Sequence, residues 1–193
     1  CRDEVQCLAV APHGSRLAAR CDAYVRLWGL PSGEPGTLLR PERSYPRSVA
    51  FAPDGRTLAV DHALADCSSE RLLKLEASGR TPAGVAFTPD GSRLVVADVE
   101  ERLTVYDART GAAVGQREAG TTLYSLAVDP GGETIAVGTY DRILRYDART
   151  LEPREPLRGI AGNVLALAYS PNGGRLAAVS SDGSLIWWDM PAG

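Results

Sequence analysis

Two histidines and four cysteines are the side chains with which this 193-residue chain could bind a metal ion or form disulfide bonds. The histidines, His13 and His62, lie far apart in the sequence. Metal sites in proteins need several histidines, cysteines or carboxylates at short, characteristic spacings. We therefore interpret His62 as a solvent-exposed turn residue, and we expect neither a metal ion nor another cofactor.

The four cysteines are Cys1, Cys7, Cys21 and Cys67. Their spacings match neither a zinc site nor a Cys-x-x-Cys redox motif. We expect free or partly buried thiols in a reducing compartment, and we place the protein in the cytoplasm. Two alternatives stay open, because Cys7 and Cys21 could meet and Cys1 could be a lipidated terminus. The charged residues 2–4 after Cys1 argue against lipidation.

Several acidic or glycine-rich segments could suggest catalysis or ion binding, but they have simpler interpretations. Segment 129–133 lacks the alternating oxygen ligands of a calcium loop. Segments 106–110 and 146–150 are nearly identical, which indicates duplication of a turn. In that turn Asp107 and Asp147 should accept hydrogen bonds from backbone amides. No phosphate-binding glycine loop or nucleophile elbow is present, so we expect no catalytic residues and no enzyme activity.

The charge pattern bears on the partners. The formal net charge is −3, and the arginines are spread along the chain instead of forming a basic block. Nucleic acids and anionic membranes are bound by clustered lysines and arginines. No apolar run approaches the roughly 18 to 20 residues that span a bilayer. We therefore expect neither nucleic acid nor a membrane among the partners.

A repeated pattern runs through the whole chain and must position these side chains. It is clearest from Ser170 to Asp189, where two turns and two apolar runs predict a β-hairpin. Five copies are anchored on prolines separated by 41, 36, 41 and 41 residues, namely Pro12, Pro53, Pro89, Pro130 and Pro171. The residue three before each proline is alanine, in the order Ala9, Ala50, Ala86, Ala127 and Ala168. We expect these alanines on inner strands and largely buried.

Two further columns of the repeat are apolar in every copy and predict the core. They are Leu8, Val49, Val85, Leu126 and Leu167 before the proline, and Leu17, Leu58, Leu94, Ile135 and Leu176 after it. The runs around them lack the alternation of a sheet with one wet face, which indicates burial on both faces. Four-stranded repeats of about 40 residues build β-propellers. The sequence therefore predicts an all-β propeller of five four-stranded blades, each of about 41 residues.

Two blades are predicted to be shorter than the others. Blade two lacks five residues, and we place the deletion in the hairpin at 60–63, with 71–76 as the outer strand. Blade five lacks its outer strand. We therefore expect an incomplete ring whose open ends promote self-association. We also expect residues 1–193 to be a single domain from a longer protein.

The repeat resembles the WD40 family, whose copies carry a Ser-x-Asp-Gly turn and a third strand that ends in Trp-Asp. Residues 164–189 match best, with the family positions occupied by Ser180, Asp182, Trp188 and Asp189. The third strands of other copies end in Trp28, Tyr106-Asp107 and Tyr146-Asp147. The third copy, from residue 81, is also similar to the YVTN propeller repeats of bacterial proteins.

The resemblance implies a non-catalytic protein-interaction scaffold, or a sensor module, within a larger bacterial signalling protein. It also implies a buried network of Ser180, Asp182 and Trp188, incomplete here because the family's Gly-His pair is missing. The alternative, suggested by the third copy, is a lactonase or hydrolase with a site in the central channel. Aromatic and arginine side chains are enriched among the residues that contribute most to binding at protein interfaces. The partner-binding candidates on the loop-bearing rim are therefore Tyr45, Arg47, Tyr124 and Tyr140.

Overall fold

The computed structural model of the chain describes residues 5–21, 24–40, 48–60, 62–69, 71–76 and 81–191. These residues form nineteen β-strands in five antiparallel sheets, with one short 3-10 turn at Pro12–Gly14. Within each sheet the strands are hydrogen-bonded in sequence order, so each blade is an up-and-down meander. No helix in these residues is long and apolar enough to cross a membrane.

Blades one to four have four strands each, and blade five has three. Blade one contains β1 (Val5–Val10), β2 (Arg16–Cys21), β3 (Tyr24–Gly29) and β4 (Pro35–Leu39). Blade two contains β5 (Val49–Phe51), β6 (Thr57–Val60), β7 (Ala63–Asp66) and β8 (Leu72–Lys74). Blade three contains β9 (Pro82–Phe87), β10 (Arg93–Asp98), β11 (Arg102–Asp107) and β12 (Ala113–Glu118). Blade four contains β13 (Ser125–Val128), β14 (Thr134–Gly138), β15 (Ile143–Asp147) and β16 (Pro153–Leu157). Blade five contains β17 (Val164–Tyr169), β18 (Arg175–Ser180) and β19 (Leu185–Asp189), which confirms the predicted propeller and its shortened last blade.

The turn between the first two strands of every blade needs glycine at one position. The residue two after the anchor proline has a positive φ in all five blades; these residues are Gly14, Gly55, Gly91, Gly132 and Gly173. Residues with a Cβ rarely adopt this conformation, whereas glycine does so readily. In blade two, for example, the Gly55 amide closes the turn on the Ala52 carbonyl at 2.9 Å. The repeated glycine thus fixes where each second strand begins.

Blade two has the predicted short hairpin. Val60 pairs directly with Ala63, so only two residues connect β6 to β7. The outer strand β8 is shorter than the predicted 71–76. The interpretation of His62 as solvent-exposed is wrong, because both of its ring nitrogens are shielded from solvent. The end of the outer strand lies against this turn, where the Leu75 amide donates to the His62 carbonyl at 2.8 Å.

The hydrophobic core lies between the blades. Four clusters of buried side chains each join one blade to the next, from blade one to blade five. Leu58, Leu94, Ile135 and Leu176 are fully buried at the start of their second strands, as predicted. Second strands such as β10 are buried on both faces because a neighbouring sheet covers each face.

The predicted burial of the alanine column is wrong. All five alanines lie on the first strands, as expected, but Ala9, Ala50, Ala86 and Ala127 are half-buried and Ala168 is exposed. The first strand is the innermost strand of its sheet and is hydrogen-bonded on one side only, to the second strand of its own blade. It also lies against the first strands of neighbouring blades. The small side chain at this position therefore reflects the close approach of inner strands and not full burial.

The two ends of the array expose apolar side chains. Leu8 and Val10 of β1 are 60% and 58% exposed, although their equivalents Val49 and Phe51 pack in the cluster between blades one and two. The exposure of Leu8 contradicts its prediction as a core residue. On blade five, a second set is exposed, namely Leu165, Val179, Leu185 and Trp187. In the part of the chain that the structure describes, no cluster joins blade five to blade one, as expected for an incomplete ring.

Candidate interaction surfaces

The aromatic residues at the ends of the third strands occupy equivalent positions, as predicted. Trp28 pairs with Leu17, Tyr106 with Leu94, Tyr146 with Ile135, and Trp188 with Leu176. Tyr106, Tyr146 and Trp188 pack in inter-blade clusters. Burial raises the pKa of the Tyr106 and Tyr146 hydroxyls. These side chains stabilise the junctions between blades.

The aspartates after the third strands organise their turns, as predicted. Asp107 accepts from the amides of Arg109 and Thr110 at 3.1 and 2.8 Å. Asp147 accepts from the two equivalent amides at 2.9 and 3.0 Å. These hydrogen bonds lower the pKa of both carboxyl groups, with the Thr110 hydroxyl making the largest contribution at Asp107. At the corresponding position of blade five, the exposed Asp189 contacts Arg175 at 3.1 Å.

The expected network of Ser180, Asp182 and Trp188 forms only in part, because the Asp182 amide donates to the Ser180 hydroxyl at 3.5 Å but Trp188 bonds elsewhere. The buried Ser180 hydroxyl donates to the Ala161 carbonyl, and the Trp188 indole donates to the Arg158 carbonyl at 3.2 Å. Asp182 instead accepts from the amide and hydroxyl of Ser184 within its own turn. Trp188 therefore lies outside the network, since its indole bonds a carbonyl that precedes it by 30 residues in the chain.

The cysteines differ from the expectation of uniformly free thiols. Cys7 and Cys67 are thiols, whereas Cys21 is disulfide-bonded, so Cys7 and Cys21 do not pair. Burial raises the pKa of the Cys67 thiol to about 11. Among the described residues, no group of three or more histidine, cysteine or acidic side chains could hold a metal ion.

Two of the four partner-binding candidates lie at one end of blade four, and the other two, Tyr45 and Arg47, lie outside the described residues. The Tyr124 amide donates to the Gly138 carbonyl at 2.9 Å, which places Tyr124 beside the end of β14. Tyr140 follows in the hairpin at 139–142 and is 63% exposed. We call this end of the propeller the Tyr140 rim.

A second candidate site lies at the opposite end of blade four, where it meets blade five. This cavity has a volume of about 530 Å³ and is lined by residues that include Asp129, Arg145, Arg154, Tyr169 and Asn172. We call it the Tyr169 groove. No sequence motif marks it, although Tyr169 is the single hydroxyl-bearing residue in a column otherwise formed by Val10, Phe51, Phe87 and Val128. Arg145 could be placed in the groove only once the strand register was known.

Comparison with known families agrees with this architecture. The model of the WD40 family, described as "WD domain, G-beta repeat", matches residues 1–29 and 153–189. Those residues cover the first three strands of blade one, the outer strand of blade four and the three strands of blade five, and the intervening blades repeat the same strand order. The chain is a WD40-repeat β-propeller.

Curated relatives of this WD40 propeller are longer proteins. The intraflagellar transport protein 122 homologue of Xenopus tropicalis is 36% identical over 67 residues, which cover 35% of this chain and 6% of that protein. The homologue of Danio rerio is 36% identical over 66 residues, again covering 6% of that protein. The serine-threonine kinase receptor-associated protein of Gallus gallus is 28% identical over 102 residues, which cover 52% of this chain and 29% of that protein. The WD40 chain thus spans a small part of each relative.

Proposed function

We propose that this WD40 propeller is a protein-interaction scaffold that binds its partner at the Tyr140 rim. The observation that carries the proposal is the exposed Tyr140 side chain on a short hairpin of a rigid sheet, next to Tyr124. Large aromatic side chains of this kind dominate binding at protein interfaces. The names of the relatives, a transport protein and a receptor-associated protein, support a role in protein assemblies.

The hairpin that carries Tyr140 is held in place by its own hydrogen bonds. The Thr139 amide and hydroxyl both approach the Arg142 carbonyl, at 3.0 and 2.9 Å. The Thr139 carbonyl accepts from the Val164 amide of blade five at 2.9 Å. Binding to a loop that is already ordered costs less conformational entropy. Tyr140 is therefore presented to a partner in a fixed position.

Alanine substitution at the rim tests the proposal. We expect Tyr140→Ala to reduce partner capture at least tenfold, since anchor residues often contribute 2 kcal/mol or more. The melting temperature should stay within about 1 °C because the side chain is exposed. Capture is measured by quantitative affinity pull-down with each purified variant, alongside thermal unfolding. Val114→Ala, an exposed substitution on the outer strand of blade three, is the control. Unchanged capture by Tyr140→Ala and Tyr124→Ala would exclude this rim.

We also propose the finer assignments made from the sequence, namely a bacterial signalling parent protein, a sensor role and a cytoplasmic location. The similarity of the third copy to YVTN repeats supports the bacterial source, whereas the relatives named above come from vertebrates. The sequence of the parent gene tests the source. The redox state of Cys21 in freshly isolated protein tests the compartment, since structural disulfides are rare in the cytosol.

A further inference from the structure

The Tyr169 groove differs from the three other junctions between blades at two equivalent positions. The first is the third-strand residue that faces the next blade, which is Leu27, Leu64 and Val105 in blades one to three and Arg145 in blade four. The second is the end of the next blade's first strand, which is Phe51, Phe87 and Val128 at those junctions and Tyr169 at the fourth. At one junction only, the repeat thus replaces both apolar side chains with hydrogen-bond donors.

The apolar versions of these pairs lie together in the core. Leu64 and Phe87 belong to the cluster between blades two and three, and Val105 packs with Val128 in the next one. At the fourth junction, Tyr169 packs against the cluster but Arg145 does not belong to it. The aromatic ring therefore keeps its structural role, and the polar groups are additions that the packing between blades does not need.

Two carboxylates in or beside the groove, Asp129 and Asp147, already have hydrogen-bond partners in blade four. Asp129 accepts from the amides of Gly131 and Thr134 in its own turn. Arg154 contacts the Asp147 carboxylate at 2.9 Å and the Thr134 hydroxyl at 2.8 Å. These contacts neutralise Arg154 and hold it against blade four. A third acid, Glu133, is exposed where it lines the groove.

Three groups in the groove still have hydrogen-bond donors to offer. Arg145 uses its Nε to reach the Glu155 carbonyl at 2.9 Å, which leaves its terminal nitrogens. Asn172 uses its side-chain oxygen as an acceptor from the Gly174 amide and the Ser170 hydroxyl, which leaves its amide nitrogen. The Tyr169 hydroxyl is shielded from solvent and has no hydrogen-bond partner among the described residues.

Tyr169 is a donor at neutral pH. Burial, followed by the nearby Asp129 charge, raises the pKa of its hydroxyl to about 12, so the hydroxyl stays protonated. A buried hydroxyl without a partner is unusual in a folded protein, because losing its hydrogen bonds to water costs free energy. The groove is thus lined by a cation, a hydroxyl and an amide that all need acceptors.

We propose that the Tyr169 groove binds a carboxylate of a protein partner, with Arg145 as the charged contact and Tyr169 and Asn172 as additional donors. A planar carboxylate matches the paired terminal nitrogens of a guanidinium, and such hydrogen bonds are stronger than those between neutral groups. The carboxylate belongs either to an acidic side chain or to a C-terminus. The inference rests on the proposed scaffold function for its choice of a protein partner.

The test is an NMR titration of the full chain with small compounds. N-acetylglutamate amide supplies a side-chain carboxylate, N-acetylglycine supplies a C-terminal carboxylate, and N-acetylglutamine amide is the uncharged control. The reporters are the Arg145 Nε–H and the backbone amides of Gly173 and Gly174, which line the groove. We expect saturable shifts with at least one carboxylate and none with the glutamine compound. The tighter of the two carboxylates identifies the source.

Two variants restore the ordinary residues of the repeat. Arg145→Leu gives blade four the side chain of Leu64, and Tyr169→Phe gives blade five the side chain of Phe87, so both proteins should fold. We expect about tenfold weaker binding for Arg145→Leu and a smaller loss for Tyr169→Phe, in line with the strength of charged and neutral hydrogen bonds. Arg149→Leu, an exposed arginine in the turn after β15, is the control and should bind normally.

The proposal is overturned if no carboxylate gives saturable shifts at the reporters, if the glutamine compound binds equally well, or if Arg145→Leu binds like the parent protein. These results do not depend on the Tyr140 rim, which lies at the other end of blade four. A scaffold that captures its partner through Tyr140 could therefore survive the loss of this site. Conversely, if substitutions at the Tyr140 rim did not change partner capture, the Tyr169 groove would still be expected to bind a carboxylate.

Discussion

In the described part of the chain, six aspartates with a lowered pKa accept hydrogen bonds in the turns between strands. They are Asp54, Asp66, Asp90, Asp107, Asp147 and Asp182. Each carboxylate accepts from an amide two residues further along the chain. Asparagine or a neutral acid would make weaker bonds to these amides than a carboxylate does. The ionised aspartates therefore contribute to the stability of the hairpins.

Stability should consequently fall in acid. At Asp90, hydrogen bonds from the hydroxyls of Thr88 and Ser92 lower the pKa from 3.8 to about 2. Between these values the unfolded chain binds more protons than the folded chain, so stability rises with pH. The contribution of Asp90 is complete above about pH 4 and is lost as the pH falls through about 2. We expect the melting temperature to drop over this range in thermal unfolding monitored by circular dichroism.

The variant Asp90→Asn isolates this contribution. It should melt below the parent protein at pH 7, and the difference between the two melting temperatures should shrink as the pH falls towards 2. Asp189→Asn is the control, because that carboxylate contacts Arg175 and no backbone amide of a turn. If the difference in melting temperature between Asp90→Asn and the parent protein stayed constant with pH, the ionised Asp90 carboxylate would not be the source of the stabilisation.

At the scale of strands, the sequence predicted the order of elements well because each blade is encoded by local signals. Turn residues and apolar runs recur at a fixed spacing, and the deletion in blade two could be placed by comparing copies. Burial was predicted less well. Leu8 is apolar like its buried equivalents Val49 and Val85, but its exposure depends on whether another blade precedes it.

The polar groove between blades four and five could not be predicted for a related reason. Arg145 alone looks like an ordinary strand arginine, and Tyr169 looks like a conservative replacement of phenylalanine. Only the register of β14 with β15, together with the packing of blade five, brings the two into one cavity. A site formed by residues from different repeats depends on tertiary contacts that local patterns do not encode.

The close approach of neighbouring blades also makes one strand glycine essential. A Cβ at Gly138 of β14 would clash with the Ser125 hydroxyl of its own blade, and it would lie 2.7 Å from Val164 Cγ1 and 2.8 Å from Val164 Cβ in blade five. We therefore expect Gly138→Ala to lower the free energy of unfolding by about 1–3 kcal/mol, as overpacked cores do. Urea unfolding of purified protein measures the change.

Gly29→Ala is the matched control for this substitution. Its Cβ would meet only the Ser32 hydroxyl at 3.7 Å, an ordinary contact. We expect a change within about 0.5 kcal/mol, which is typical of substitutions away from the core. Equal effects of the two substitutions would show that blades four and five are not packed as closely as described.

At the scale of the whole molecule, we predict head-to-tail self-association through the two apolar ends. Trp187 on blade five is equivalent to Leu27 and Leu64, which pack against the following blade. Leu8 on blade one is equivalent to Val49, which packs against the preceding blade. Blade five of one copy can therefore pack against blade one of a second copy, in the same way that neighbouring blades pack within one chain. We expect light scattering to show a mass that increases with concentration.

Charged substitutions at either end should prevent this association. We expect Trp187→Lys and Leu8→Lys each to shift the protein towards the monomer, because a lysine would have to be buried in an apolar contact. Val114→Lys, on the outer strand of blade three, should leave the mass unchanged. A parent protein that stays monomeric at all concentrations and unfolds cooperatively would contradict head-to-tail association.

The short hairpin of blade two also affects how a partner can orient on the Tyr140 rim. If the five blades were identical, the hairpins at this end would offer a partner five nearly equivalent binding positions. The hairpin at 57–66 has strands two residues shorter than those of the hairpin at 16–29, which lowers its tip by about 7 Å. The row of five blades therefore carries a notch at blade two, which distinguishes that blade from the other four. The five-residue deletion in blade two could therefore fix the orientation in which a partner binds to the scaffold.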